Sequence, residues 1–457
     1  MNSLLRRDTT RSLLLAPHSP NNGPMPKRHP PIRLGILLAT ILALSSTQAL
    51  ANAFTSLDPR SMSLGGAGVA ATRPYNAPAF NPARLAGNPQ IEGRRDDRAF
   101  SRAFGGIRLI DRDGFLDSLD RFQENDNQSR LKQSLDQLEA RISDQSVTRQ
   151  DLRAVFRTAD ELLDDYQSLS DKPLRLAASA GFNLGAPGER FGFGASIRQN
   201  AVVGMELRIS QEDISQVRQV IDFIEVLMDI IDEEVIPPDL ELPDVGDDLT
   251  SDFALRGAMV REVGLSVGAR IPQQPRTYLG VNLKSLQIDT LDWETDVERA
   301  RTENFELDDQ RLIHADVNVD LGVIHELDDG WTAGMMVRNL IPRDYRTVLG
   351  NQVPLRPTFR GGLAWQNPRW TVAVDMDLNE TVAIGFDPAK QYLAMGVEHR
   401  PLRWLSLRGG YRYERVLEEG NISLGIGLSS RRSHFDLALS GDAGDSFGAA
   451  MQFGVRF

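Results

Sequence analysis

The chain has 457 residues, 41% of them hydrophobic and 25% charged, with a formal net charge of −12 and a pI near 5.1. These are globular values rather than those of a disordered chain, and the acidic balance argues against nucleic acid as a partner, because phosphate binding needs clustered Lys and Arg. The absence of cysteine excludes disulfides, Fe–S clusters, thiolate zinc sites and thiol nucleophiles, and a mean hydropathy of −0.30 argues against a helical membrane bundle but not a transmembrane barrel, whose strands alternate.

At the N-terminus, Leu34 to Leu44 is a short apolar run. Lys27, Arg28 and Arg33 precede it, and two A-x-A sites follow at Ala49–Ala51 and Ala51–Ala53. This is the layout of a secretory signal peptide, too short for a spanning helix. The first 24 residues read as leader, Met25 is a second candidate start, and the mature chain is expected to begin near Asn52 or Phe54.

Residues 60–87 follow, built from small residues and punctuated by Pro74, Pro78 and Pro82. Proline forbids a continuous helix or a central strand here. Such a segment makes no core of its own and is expected inside a larger shell. Gly65, Gly66 and Gly68 are expected where backbone crowds that shell, because small residues admit close approach.

From residue 99 onward the sequence alternates with period two, the mark of barrel strands. Phe447, Ala449, Met451, Phe453, Val455 and Phe457 share one face, with Gly448, Ala450, Gln452, Gly454 and Arg456 on the other. The same alternation recurs near 435–439, 422–428, 405–413, 393–397, 372–378, 359–365, 331–337 and 315–321. It is weaker near 277–288, 251–271, 190–209, 174–185 and 99–109. The count is about 14 antiparallel strands. Short connections (187–189, 272–276, 326–330, 367–369, 401–403, 430–432) alternate with longer ones (110–173, 210–250, 289–308, 341–354, 380–390), as barrels with short periplasmic turns require. The turns at 416–419 and 442–445 break that contrast. The apolar face would meet lipid, while Asp316, Asp320, Arg338, Arg360, Asp375, Asp377, Arg408 and Arg412 would face the lumen as a polar pore, a bed for a plug or mutually paired filling.

Two longer connections read as helical. Leu131, Leu135, Leu138 and Ile142 fall at heptad-like spacing, and Leu152, Val155, Phe156, Ala159, Leu162, Leu163 and Tyr166 mark a second helix behind a Thr148–Asp151 capping box. In 210–231, a Ser210–Asp213 box precedes Ile214, Val217, Ile221, Ile224, Met228 and Ile231, spaced 3, 4, 3, 4, 3. These helices are expected either to pack together as a cap over the outer mouth or to form a self-contained hairpin. The acidic stretch from Asp232 to Asp248 lacks the order of a calcium loop and reads as solvated.

Chemical motifs are weak. Gly264-Leu-Ser266-Val-Gly268 has nucleophile-elbow spacing, but its serine lies mid-strand. Gly66-Ala-Gly68-Val-Ala-Ala71 has dinucleotide spacing without a surrounding βαβ unit. His314, His325, His399 and His434 are scattered. The expectation is therefore no enzyme, no cofactor and no metal site.

Met62-x-Leu64-Gly65-Gly66-Ala67-Gly68-Val69-Ala70, followed by Asn81-Pro82-Ala83-x-Leu85-Ala86, resembles the N-terminal hatch of the FadL-like outer-membrane proteins. The start at Ala53 and the helical insertion after the first strand look most like the conjugal transfer TraF-type barrels. The C-terminal Phe453-Gly-Val455-Arg-Phe457 resembles the signal read by the barrel-assembly machinery. The resemblance implies a 14-stranded outer-membrane barrel with Gly65, Gly66, Gly68, Asn81 and Pro82 in an N-terminal plug. Position 84 is Arg and residues 73–80 depart from the transporters' pattern, so no ligand-binding residue is carried over.

The chain thus divides into leader and signal peptide (1–53), plug (54–98) and barrel (99–457), with helical insertions at 113–170 and 210–231. The first functional expectation is a TraF-type outer-membrane protein associated with conjugation or surface assembly. The alternatives are a FadL-like transporter of hydrophobic small molecules and a secreted soluble β-protein. Expected partners are outer-membrane lipid, the barrel-assembly machinery, and a hydrophobic ligand or conjugation-system proteins.

Overall fold

The computed structural model describes residues 57–457 except 88–89, 92–93, 96–98, 233–236, 238–239, 244–249, 297–298, 300–306 and 443–445. The leader and signal peptide, and most of the acidic stretch 232–248, lie outside the described residues. Fourteen antiparallel strands close into one barrel. In chain order they are β1 (Phe100–Ile110), β2 (Leu174–Ala186), β3 (Phe191–Arg208), β4 (Asp252–Ile271), β5 (Gln274–Asp296), β6 (Arg311–Glu326) and β7 (Trp331–Arg338). The second half is β8 (Thr358–Gln366), β9 (Trp370–Asp377), β10 (Tyr392–Leu402), β11 (Leu405–Glu414), β12 (Glu419–Ser429), β13 (Ser433–Gly441) and β14 (Ser446–Arg456). Closure comes from β14 pairing with β1, Ser446 opposite Ile110 and Arg456 opposite Phe100.

Alternation decides which way each side chain points. Phe193, Leu265, Leu283, Ile422, Leu424 and Phe453 are exposed on the outer wall, while their sequence neighbours on the other face are buried. An apolar exterior around a polar, filled interior is the transmembrane solution, since a closed barrel leaves no backbone group unpaired toward lipid. The wall is uneven. β3, β4 and β5 run 18, 20 and 23 residues, whereas β7, β8 and β9 run only 8, 9 and 8. A spanning strand needs about 9–11 residues, so β3–β5 project well past the rim at the end with the long connections.

Those projections carry the helices: α1 (Phe115–Asn125), α2 (Asn127–Ser143), α3 (Arg149–Leu169) and α4 (Gln211–Ile230). The sequence pattern does not flag α1. The Thr148–Asp151 capping box opens α3 with both reciprocal bonds formed. At α4 the box is only half present. Ser210 accepts from the Asp213 N–H, but the buried Asp213 carboxylate accepts from Thr250 instead (N–H at 3.1 Å, hydroxyl at 3.0 Å) and from the Ser251 hydroxyl. Asp213 thereby ties the helix start to the chain entering β4. Leu131, Leu138, Leu152, Leu162, Val217 and Ile224 meet in one core between α2, α3 and α4. Val220 and Leu227, outside the heptad stripe, are buried there as well.

The helices pack together, but they do not cap the mouth. Phe115, Leu119 and Leu169 pack on Leu174, Met205, Phe253, Leu255 and Leu291. By strand parity these wall residues share the outward face of Phe182, Ile197, Leu265 and Leu283. The helical block therefore hangs outside the flared wall, where exposed apolar strand surface above the membrane would otherwise meet water. The mouth is filled from the opposite side of the barrel. A hairpin, Arg343–Arg346 paired with Gln352–Leu355, folds inward so that Tyr345 and Val353 pack on Val202, Ala258, Val260, Leu286 and Ile288. Residues 379–391 fold in beside it, placing Phe386 against Gly204.

Candidate functional site: the plugged lumen and its outer pocket

Residues 57–87 lie inside the barrel, nearer the end with the short turns. They form a one-turn helix (Pro59–Ser63) and two 3-10 turns (Pro74–Asn76 and Pro82–Leu85), and almost every residue is buried. Pro59, Pro74 and Pro82 each start one of these turns and Pro78 follows the second, which suits a chain that changes direction repeatedly. Gly65 has φ of +69° and abuts the wall: a Cβ there would sit 2.4 Å from the Tyr411 carbonyl oxygen. The other two glycines depart from the expected role. Gly66 meets no wall backbone but has φ of +99°, and Gly68 faces the Phe80 ring of the plug itself. Asn81 caps the turn at Pro82 and its amide donates to the carbonyls of Val69 and Val323, each at 3.2 Å. Pro82 lies against Gly268, Gly280 and Gly322 of the wall.

The wall glycines are a feature that sequence reasoning passed over. Gly280 and Gly410 let plug backbone touch wall backbone: a Cβ on either would fall 2.0 Å from the Ala83 nitrogen or 2.1 Å from the Gly65 nitrogen. Gly322, Gly334 and Gly396 also face the lumen and are crowded by plug atoms, while a Cβ on Gly448 would meet the Met62 side chain of the plug and Ser440 of the wall. Their signal was present as glycine at alternate positions of otherwise apolar strands, where glycine weakens a strand unless a backbone must come close.

Around this belt the plug is held by charge. Asp375 accepts from the Gly68 and Val69 N–H groups at 2.7 and 2.8 Å. Arg360 forms a bidentate pair with Asp377 (2.5 and 2.9 Å) and reaches the Gly66 carbonyl. Arg408 joins Glu398 (2.9 Å) to Asp436 (2.6 Å). Glu398, fully buried, also pairs with Arg60 (3.1 Å) and Arg73 of the plug and with Arg400 (3.4 Å). Asp58 pairs with Arg102, and Arg198 donates to the Ala79 carbonyl. Arg84, the departure in the hatch sequence, pairs with Glu326 of β6 at 2.6 Å and so latches the plug's end to the wall.

Asp320 and Arg338 belong to a second cluster, with Lys284 bridging Asp320 (2.8 Å) and Glu262 (3.5 Å), and Arg198 and Arg338 also on Glu262. Asp316 departs from the ring. It sits at the rim, where Arg343 (2.6 Å) and the Tyr345 hydroxyl (3.3 Å) of the mouth hairpin meet it. Arg412 lies half-buried over the Tyr392 ring, 4.7 Å from its centroid. Glu262, Lys284 and Glu398 were missed because each stands in a strand read only for its apolar face. Ser266, of the elbow-like pattern, points into the lumen within hydrogen-bond reach of the Asn282 side chain (3.0 Å). Phe453 and Phe457 are exposed on the outward face of the last strand and beyond its end, and Val455 lies between them.

Above the plug lies unfilled space. One pocket is bounded by Leu57 of the plug, by Ala177, Ala178 and Val202 of the wall, and by Arg108, Arg175, Lys390 and Tyr392. A second shares Arg108, Arg175, Lys390 and Tyr392 and continues to the rim at Arg112, Glu419 and Asp442. The two form one passage, apolar at its inner end and charged toward the outside. Lys390 is matched by Asp387, which also lies 3.7 Å from Arg175. Arg108 is matched less well: it is buried, and among the described residues its hydrogen bond is to the Ser440 hydroxyl at 3.3 Å and its Nε meets no acceptor. A third pocket, lined by Val202, Ala258, Val260, Ile288, Tyr345 and Val353, lies under the mouth hairpin.

The chain is similar in structure to a FadL homologue from Pseudomonas aeruginosa (TM-score 0.49, 10% identity, covering 90% of this chain and 99% of that one). It is also similar to the toluene transporters TbuX of Ralstonia pickettii (0.47, 11%, 88% and 99%) and TodX of P. putida (0.45, 11%, 89% and 99%). No curated protein sequence matches it. Residues 78–377, from the second half of the plug through β9, match the family described as F plasmid transfer operon, TraF, protein. With more than half of its length matched, the chain belongs to that family.

Proposed function

We propose that this TraF-family barrel resides in the outer membrane and takes small amphipathic anions from the cell exterior into its lumen. The observation that carries this reading is Arg108. A guanidinium buried at the wall of a passage, whose Nε meets no acceptor among the described residues, is costly unless an acceptor arrives. Lys390 and Arg175 add positive charge beside it, and Leu57, Ala177 and Val202 offer an apolar bed of a few side chains beyond. A carboxylate or phosphate with an apolar body satisfies both halves. The plug below requires that any onward passage involve its movement.

The test is binding of dodecanoate and of uncharged dodecanol to the purified barrel in micelles, with Arg108→Gln beside the wild type. Dodecanoate is expected to bind more tightly than dodecanol, by a factor of about ten for a charge-assisted bond, and Arg108→Gln removes the difference. Equal binding of acid and alcohol by the wild type defeats the proposal.

Export follows the N-terminal signal in this reading, with a mature start at Asn52 or Phe54 that intact-mass measurement of the membrane protein checks. Insertion uses the barrel-assembly machinery through Phe453, Val455 and Phe457. A second reading, association with a conjugation or surface-assembly system, is favoured by the helical block, which has its own core and stands outside the barrel. Loss of donor transfer frequency on deleting 115–169, with the barrel still assembled, supports it.

A further inference from the structure

The rim with the short turns has a composition unlike the rest of the molecule. Four of the five tryptophans stand there: Trp331, Trp365, Trp370 and Trp404. Trp331 and Trp365 pair across β7 and β8, and the Trp365 indole donates to the Asp329 carbonyl in the turn. Trp331 and Trp370 are exposed on the outer wall, and Trp404 is exposed in the turn between β10 and β11. Aromatic side chains in this position mark the headgroup level of a bilayer, where an apolar body and a polar N–H are both satisfied.

Next to these rings stand arginines. Arg369 precedes Trp370, Arg403 precedes Trp404, Arg190 precedes the exposed Phe191, and Arg432 lies in the turn between β12 and β13. All four side chains are exposed. Nearby acid is partly taken, since Asp328 pairs with Arg276 at 2.5 Å. These guanidinium groups lie at the depth the tryptophans define.

We propose that this rim is a collar for anionic phospholipid, its arginines engaging headgroup phosphates of the inner leaflet while the indoles pack on the upper acyl chains. Arginine suits the role because its planar fork meets phosphate with two parallel hydrogen bonds and is weakly hydrated. Each such cation near a lipid surface favours anionic lipid by a factor of about five. The inference rests on the membrane-spanning reading, and the tryptophans allow the two to be separated.

The full barrel is reconstituted in bilayers of phosphatidylcholine and phosphatidylglycerol, with acyl-brominated forms of either lipid as quenchers of tryptophan emission. Quenching by both lipids is expected because the indoles touch acyl chains; its absence would refute the membrane placement itself. At low salt, phosphatidylglycerol should be preferred by at least about fivefold, with the preference shrinking in salt. In the variant R190Q/R369Q/R403Q/R432Q it should fall to about one, and in the control R121Q/R130Q/R153Q/R157Q, on the helical block, it should persist. Equal quenching by the two lipids in the wild type, or a preference that survives the rim variant, overturns the collar. Loss of the preference on adding millimolar inorganic phosphate would assign the arginines to a soluble anion instead and overturn it too.

Discussion

Glu398 is the residue whose removal most directly tests how the plug is held. It stands on β10, is fully buried and is the shared acceptor of Arg60 and Arg73 from the plug and of Arg400 and Arg408 from the wall. Asp436 pairs directly with Arg408 (2.6 Å). Glu398→Gln preserves shape and opens no cavity, so its effect is almost purely electrostatic. Removing one partner of a buried ion pair costs about 3–5 kcal/mol because the remaining charge stays desolvated and unmatched. Here several guanidinium groups lose the same partner, so the upper part of that range is expected. The assay is urea unfolding of the purified barrel, followed by the gel mobility that distinguishes folded from unfolded barrels. Ser423→Ala is the reference, since Ser423 offers the plug a single neutral hydrogen bond, accepted from the Gly65 N–H at 3.1 Å, worth about 1 kcal/mol. A double-mutant cycle with Arg73→Gln should give a coupling of about 1–3 kcal/mol. If Glu398→Gln costs no more than Ser423→Ala, the cluster does not hold the plug.

Further outcomes are expected. Gly410→Val and Gly280→Val force a side chain into plug backbone, so the barrel should assemble with a displaced plug and show raised conductance in planar bilayers; Gly409→Ala, whose Cβ would have ordinary room beside Leu424 (3.9 Å), should be silent. Burial, and then the neighbouring Asp316 carboxylate, push the Tyr345 phenol above its ordinary 10.0. A raised folded-state value means that its contribution to hairpin docking is complete below pH 10 and is lost as pH rises through the folded value. The difference in tyrosinate absorbance between wild type and Tyr345→Phe should therefore have its midpoint above 10.0, and a midpoint at or below that value would contradict the docked hairpin. Thr148→Ala should weaken α3 by about 1 kcal/mol, seen as faster amide exchange at the start of that helix with the barrel amides unchanged.

Much of the architecture was legible because a barrel strand writes its two environments into alternate residues. Leu405, Leu407 and Tyr411 against Arg408 and Arg412 are enough to orient β11, and the contrast of turn lengths orients the whole barrel. The functional site was less legible. Arg60, Arg73 and Glu398 are far apart in sequence, and no spacing rule connects them. Arg108 and Lys390 come together only because β1 closes onto β14 and residues 379–391 fold into the mouth. The helices show the same limit: their apolar stripes announced that they would be covered, but not by what. The exposed ends of β3–β5 project beyond the membrane and compete for that apolar surface, which is why the block lies beside the wall and leaves the mouth to the hairpin between β7 and β8.

The small-residue stretch 60–87 draws the division most clearly. Its prolines and glycines by themselves determined that it could be neither a continuous helix nor a central strand, because φ is fixed at one and unrestricted at the other. Local composition likewise determined an outward apolar face and an inward polar one for each strand. Only the closed barrel decided what each small residue is for: Gly65 against the Tyr411 carbonyl, Gly68 beneath Phe80, and Gly280 and Gly410 on the wall where two backbones meet. Close approach is a property of two surfaces, and a single strand of sequence carries only one of them.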